Sequence, residues 1–572
     1  MMRKGIYSLV IIILLLTVTG CSVSNILPEY QDENLNPIAE EEKDLAYQPA
    51  TPSKGGELKI AIALPDSMNP LYTKLKDYIN LSSLIYEGLF SFDENLNIKP
   101  ALAESWEVLD EGKIWQIELR KGVKWHNGKE LTAQDVKYTF DLLYNHLQQS
   151  EEEEGSEYKS SSIFAKRLFE GRNIARMEYV INNPYAVTII LNEPAGRTFL
   201  EALSFPILPA MNDQDDQNDE DGEDIDFLIG TGPFKVESAN IEIGGQIKLV
   251  RNDDWWGSEK PYIDAIVANI YRDNEESLEA FKNEEVDLVD THVIYADFYG
   301  MSRQGQTFRY LTQNFVYIGI NHQSPGILGD NRVREAIAYA IDRKDIVSRV
   351  YASNAQAVDV PIPPDAWYYD SDLRMYDYQP LKVHQILEEA GWKDSNGDGI
   401  LDKNTGEGFV DLSFTVNAHM DNIMQKETLN LIVEQLKDVG IDVKPRFLSW
   451  DDYITALEEG DFEAVLSEHY LDITTDLGFM FHSSQIGNGL NNYIAYNNSY
   501  LDELLDRIPV IQDSQEFKDT YKKIQKHLVE ELPIISLYYK TSSLVAAPYV
   551  HGIRLPRDLM IFRDIEKWYL DR

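Results

Sequence analysis

The chain has 572 residues, 43% of them hydrophobic and 11% aromatic, and a formal net charge of -44. That length and apolar content support two or more lobes with buried cores. So negative a surface repels phosphates, which excludes nucleic acid as a partner and excludes anionic lipid unless something other than charge holds the chain there.

In chain order, Arg3 and Lys4 precede an apolar run from Ile6 to Val18 that is too short for a spanning helix and reads as a secretory signal, residues 1–20. It ends in Val18-Thr19-Gly20-Cys21, which resembles a bacterial lipobox, so Cys21, the single cysteine, is expected to carry lipid as the new N-terminus. With no second cysteine there is no disulfide framework. Residues 21–54 are acidic and poor in large apolar side chains, which makes them a tether.

A globular body begins at "GGELKIAIAL" (55–64), where Leu58, Ile60, Ile62 and Leu64 alternate as in a half-buried strand. Trp106, Trp115 and Trp125 are spaced like core positions. Thr132 and Asp135 stand at capping-box spacing before a helix with Val136, Phe140 and Leu143 on one face. The acidic stretches 150–162 and 211–226 read as solvated loops, and "AVTIILNEP" (186–194) between them as a strand.

Further on, "FVYIGIN" (315–321) alternates as a strand, and Val333, Ala336, Ile337, Ala340 and Ile341 mark a helix. A helix stopping near Gly440 leads into the extended "IDVKPRFL"; Ser449 and Asp452 cap another that Gly460 ends, before the strand "DFEAVLSE". "LPIISLYYKTSSLVAA" (532–547) is a strand returning to the first lobe. Alternation on this scale defines an α/β fold class.

Catalytic signatures are missing: there is no HExxH, GxxxxGK[ST], GxSxG or GxGxxG, and the ten histidines show no ligand spacing. The stretch "DSNGDGILD" sets Asp394, Asn396, Asp398 and Asp402 at positions one, three, five and nine of an EF-hand-like calcium loop, with Gly399 at the turn, but Thr405 stands where a bidentate Glu belongs. The same composition makes a hairpin turn, the reading favoured here, and neither a metal nor a cofactor is expected.

Read together, "KPALAESWEVLDEGKIWQIELRKGVKWHNGKELTAQDVKYTFD" (99–141), "GTGPF" (230–234), "RNDDWWG" (251–257), "DNRVREAIAYAIDRKDIV" (330–347), "FHSSQ" and "NNYIAYNNSYLDELL" resemble, in order, the bacterial family 5 extracellular solute-binding proteins. That family includes oligopeptide- and dipeptide-binding receptors of ABC importers and some nickel-chelate binders. The resemblance implies a two-lobed periplasmic-binding-protein-like clamp of type II: lobe I from 55–84, 230–315 and 540–572, an extra subdomain from 85–229, and lobe II from 316–539. It implies a monomer that is not an enzyme, at the outer face of the cell membrane, taking a peptide ligand and docking on permease subunits.

In several peptide binders of that family an aspartate holds the ligand's α-amino group. Counting back from "FHSSQ" sets Asp472 at that place, with Asp476 a second candidate, although Glu468 and His469 replace the usual Gly-Trp. His469 and Tyr470 would line the pocket beside it, and Tyr78 and Asn80 the lobe I edge. Rival readings are a receptor for an oligosaccharide or a nickel chelate and, in another class, a secreted hydrolase with two cleft acids.

Overall fold

The computed structural model describes residues 52–152, 162–169, 172, 174–180, 182–210, 228–373, 375–473, 476–487 and 491–572. Cys21, the tether up to residue 51, the acidic stretch 211–226 and most of that at 150–162 lie outside them. Among the described residues no helix is long and apolar enough to cross a membrane.

An eleven-stranded mixed sheet runs through the molecule. Its lobe I half orders the strands Leu288–Thr291, Glu57–Ala63, Ala265–Tyr271, Gln246–Arg251 and Phe234–Ala239; its lobe II half orders Asp442–Leu448, Ser413–His419 and Ala464–Tyr470. Glu57–Ala63 alternates buried and half-buried residues, as its pattern predicts, and pairs in parallel with Ala265–Tyr271 from Glu57↔Ala265 to Ala63↔Tyr271. Between the halves lie two long antiparallel strands, Gln306–Ile320 and Ile534–Ala546, which we call the crossing strands.

These strands pass from one hydrophobic core to another. Tyr310 and Leu544 pack with residues of the first core, which extends from Leu58 to Leu570, whereas Phe315 and Tyr539 pack in the second, built almost wholly from 315–539. At the changeover the ladder breaks: Leu311 pairs with Thr541 and Phe315 with Tyr539, so Thr312, Gln313 and Asn314 face the single residue Lys540. Such a bulge loosens pairing and bends the strand. It lies where the crossing strands pass from the first hydrophobic core to the second.

The segment after the first helix builds a four-stranded antiparallel sheet, Ala103–Leu109, Ile114–Leu119, Asn183–Leu191 and Ile174–Val180 in spatial order, and buries Trp115 in the first core. Helix Ala133–Glu152 crosses it, started by Asp135 accepting from the Thr132 amide at 2.8 Å. Trp125 is buried as expected, but Trp106 is 39% exposed, its ring set edge-on to Phe90: on an edge strand with one face to solvent, tryptophan spacing does not imply burial. The helix expected through Ile341 stops at Ala340, because Asp342 caps a second helix, Arg343–Tyr351, by accepting from the Asp345 amide at 3.0 Å. Ser449 and Gly460 bound helix Trp450–Glu459, Gly460 taking the left-handed conformation at φ +69°.

Three of the quoted motifs meet in one structural node away from the cleft. The Glu87 carboxylate accepts from Trp256 Nε1 at 2.7 Å, Thr231 Oγ1 at 2.8 Å and Trp255 Nε1 at 3.2 Å. His126 accepts at Nδ1 from the Gly230 amide and donates from Nε2 to the Gly232 carbonyl, both 3.1 Å, a neutral tautomer. A Cβ on Gly230 would lie 1.8 Å from the Ile85 carbonyl oxygen, so only glycine fits. These motifs hold lobe I together.

Candidate functional site

The lobes enclose two adjoining cavities at the break in the crossing strands, with Thr312 and Asp558 in the lining of both. The larger, about 400 Å³, is bounded by Lys76, Asp77 and Asp290 of lobe I, Thr312 and Asn314 of the bulge, and Tyr470 of lobe II. The smaller, about 40 Å³, lies against Gln313, Tyr368, Asp472, Tyr521, Tyr539 and Arg557.

Charge in the larger cavity is centred on Lys76. Its ammonium stands 2.9 Å from Asp558, 3.1 Å from Asp290 and 2.6 Å from the Tyr310 hydroxyl, which itself donates to Asp290 at 2.5 Å. Burial works to discharge Lys76, but Asp290, Tyr310 and Asp558 more than reverse this and keep it protonated. Burial and, second, repulsion from Asp290 push the Asp77 carboxyl up to about 6; one of its oxygens accepts from the Ala63 amide at 2.8 Å. Three carboxylates therefore face a site whose deep cation already serves two of them.

In the smaller cavity Gln313 is 8% exposed and neither its amide nitrogen nor its amide oxygen has a partner among the described residues; the Tyr539 hydroxyl, fully buried, has none either. A polar group left unpaired away from water is costly, so these atoms are disposed to take hydrogen bonds from whatever enters.

The expected site residues divide. Tyr470 lines the larger cavity; Asp472 and Asp476 line the smaller. Asp476 is exposed and accepts from the Gly478 amide at 2.7 Å. Asp472 forms a bidentate ion pair with Arg167 of the extra subdomain, Nε to Oδ2 at 2.8 Å and a second contact from the terminal nitrogen to Oδ1. His469 does not line either cavity: alternation along the strand turns it from Tyr470's side into lobe II, where Nδ1 meets the Tyr317 hydroxyl at 2.7 Å and the ring stacks on Tyr493. Burial lowers it to about 4, so it is neutral.

Tyr78 and Asn80 are also corrected. Both are fully buried in lobe I, Tyr78 donating to the Met68 carbonyl at 2.8 Å and Asn80 accepting from the Ile561 amide at 3.3 Å. Their helix, Lys76–Ser82, gives the cleft its other face, Lys76, Asp77 and Ile79. In the 394–402 loop the carboxylates turn onto their own amides: Asp394 accepts from Gly397 at 2.7 Å and Gly399 at 3.1 Å, Asp398 from Ile400 at 2.8 Å, and Asp402 from Ser395 at 2.9 Å. Asn396 likewise accepts from the Asp398 amide at 2.9 Å. Among the described residues no three acid, histidine or cysteine side chains are grouped to hold a metal ion. This is a turn motif.

Lys76, Asp290, Asp558, Gln313 and Arg167 carried no distinguishing local signal. The four charged residues acquire their roles from partners hundreds of residues away, such as Arg167 and Asp472, 305 apart, whereas the Gln313 amide is marked out by having no partner among the described residues.

Two α/β lobes joined by crossing strands around a cleft define the class of clamp-like solute receptors. The chain belongs to the bacterial extracellular solute-binding proteins, family 5: residues 97–490 match the model described as "Bacterial extracellular solute-binding proteins, family 5 Middle". It is 31% identical over 533 residues to the oligopeptide-binding protein AppA of Bacillus subtilis (strain 168), covering 91% of this chain and 92% of that one. It is 28% identical to heme-binding protein A of Haemophilus influenzae, covering 82% and 84%. The solved structure of the Bacillus subtilis protein in complex with a nonapeptide superposes with a TM-score of 0.60 at 29% identity, covering 91% of this chain and all of that one.

Proposed function

We propose that this chain is the extracytoplasmic receptor of an ABC importer, that it captures peptides between its two lobes, and that lipid on Cys21 keeps it, as a monomer, beside its permease. One observation carries the reading: a half-open cleft of about 400 Å³ at the break in the crossing strands, lined by the carboxylates of Asp77, Asp290 and Asp558 against the ammonium groups of Lys74 and Lys76. A peptide brings an ammonium that needs such carboxylates when enclosed, and a backbone that needs donors and acceptors of the kind Thr312 and Asn314 present where the ladder is open. Asp472 is the carboxylate we assign to the ligand's α-amino group, from its position before "FHSSQ" in the resemblance to the family's peptide binders; it lines the smaller cavity that adjoins the cleft. An oligosaccharide site would favour stacking indoles, and neither cavity has tryptophan among its described lining residues. In this reading the receptor's work is capture and closure.

The test is thermal unfolding of the mature chain with peptides of two to nine residues, their N-acetylated copies, sugars and metal chelates. A peptide at ~100 times its Kd should stabilise by about 2.7 kcal/mol. Stabilisation by free peptides that falls on acetylation supports the reading; response to sugar or chelate alone overturns it. Loss of fatty-acid labelling in Cys21→Ser tests the anchor.

A further inference from the structure

The three acids of the larger cavity are not equivalent. The Lys76 ammonium has three N–H groups, and Asp290, Asp558 and the Tyr310 hydroxyl take them all, so none is left for Asp77, the next residue in the chain. Lys74, the other lysine of the lining, is exposed, and among the described residues Asp77 forms no ion pair with it or with any other cation. The Asp77 side chain is half-buried; Oδ2 accepts from the Ala63 amide at 2.8 Å, and Oδ1 takes no hydrogen bond from a described residue. A carboxylate withdrawn from water is unfavourable until a cation answers it.

The rest of the lining suits one more cation. Counting Lys74 and Lys76 against Asp77, Asp290 and Asp558, with His292 neutral, leaves one negative charge, which a single positive group on the ligand cancels. The Asn314 side chain and the Tyr470 hydroxyl line the same cavity and have no hydrogen-bond partner among the described residues, so both are open as acceptors. A guanidinium binds a carboxylate best through two parallel bonds, for which both oxygens must be open, and Oδ2 is held by Ala63. An ammonium is a point charge with three donors, and Asp77 Oδ1, Asn314 and Tyr470 offer three acceptors.

We propose that Asp77 selects the ligand: it pairs with the side-chain ammonium of a lysine in the bound peptide, apart from the α-amino group at Asp472, and makes the receptor one for lysine-containing peptides. A norleucine of the same length would cover Asp77 without answering its charge, and a glutamate would bring a fourth acid into the lining. The inference rests on the peptide reading above.

The test is calorimetric titration of the mature chain with tetra-alanine peptides that carry lysine, norleucine or glutamate at each position in turn. At one position wild type should bind the lysine peptide about tenfold more tightly than the norleucine peptide, with glutamate weakest. Asp77→Asn keeps an oxygen for the Ala63 amide; it should bind the lysine and norleucine peptides equally, with the norleucine affinity unchanged or tighter than in wild type. Asp77→Ser serves in its place if that variant does not fold. Equal affinity for lysine and norleucine at every position in wild type overturns the inference and leaves the peptide reading standing, whereas no binding by any of the peptides overturns both. A lysine advantage that survives in Asp77→Asn puts the cation elsewhere, and an equal loss for lysine and norleucine makes Asp77 a support for the Ala63 amide; either result overturns the inference. N-acetylated copies separate the two amines. The lysine advantage should persist after acetylation; if Asp77→Asn instead abolishes the preference for free over acetylated norleucine peptides, the α-ammonium sits at Asp77 and the inference fails.

Discussion

Lys76 and Asp558, 482 residues apart in sequence, meet at 2.9 Å in the cleft floor, and the same ammonium holds Asp290 at 3.1 Å. The lysine side chain is 30% exposed, against 5% for Asp558 and 9% for Asp290, so solvent screens the cation more than the acids. Removing the cation strands two carboxylates, which costs more than the pair contributes while intact. Lys76→Met should lower stability by about 2–4 kcal/mol in urea unfolding, discounted for exposure, and adding Asp558→Asn should restore part of the loss. A loss under ~0.5 kcal/mol would mean that water takes the place of Lys76 beside the two acids.

Asp77, pushed up to about 6 by burial and by Asp290, makes ligand affinity depend on pH. Its folded-state value lies above the ordinary 3.8, so its contribution to stability is fully present below about pH 4 and is lost as pH rises through 6. Binding of a cationic ligand runs the other way, because the carboxylate attracts it only when ionised. Titrations from pH 5 to 7 should show tightening affinity, and Asp77→Asn should flatten that rise.

The Glu87 node should set opposing pH slopes. Glu87 keeps some exposed surface, but burial of its carboxyl pushes it up to about 7 against the hydrogen bonds from Trp256, Thr231 and Trp255, which lower it; its stabilising share is present below about pH 4.5 and lost as pH rises through 7. Burial lowers His126 to about 4, so its share is present above 6.5 and lost as pH falls toward 4. Glu87→Gln should remove the decline between pH 4.5 and 7, about 1–3 kcal/mol, in chemical unfolding at fixed pH steps. An unchanged slope would assign the decline to other groups.

Gln313→Leu separates binding from folding. The amide is buried with both polar atoms unpaired, so an apolar replacement of similar size should leave the melting temperature unchanged or raised. If the amide meets the ligand, Kd should weaken about tenfold, near the 1–1.5 kcal/mol of one hydrogen bond. Unchanged Kd with a raised melting temperature would confine Gln313 to the hinge.

Much of the local structure was legible residue by residue. Alternation marked the strand from Glu57, the stretch after Gly460 read as the buried strand from Ala464, and capping-box side chains that bond amides three positions away marked the starts at Thr132 and Ser449, because these interactions close within a few residues. The ordered motifs also foretold the clamp. Why they recur together is visible only in three dimensions, where Glu87, His126, Gly230 and Trp256 form a single contact set.

The amino-acid sequence by itself determined the elements, the two-lobed α/β architecture and the neighbourhood of the cleft. Tertiary structure decided which faces look into it. Periodicity says that His469 and Tyr470 point to opposite sides, and that Lys76 and Tyr78 lie at different angles on one helix, but not which side another element will cover. It decided the electrostatics too: Lys76 with Asp558, and Arg167 with Asp472, are pairings of residues hundreds apart. Coulombic contact depends on distance in space, and chain order places no limit on which charges the packed cores bring together.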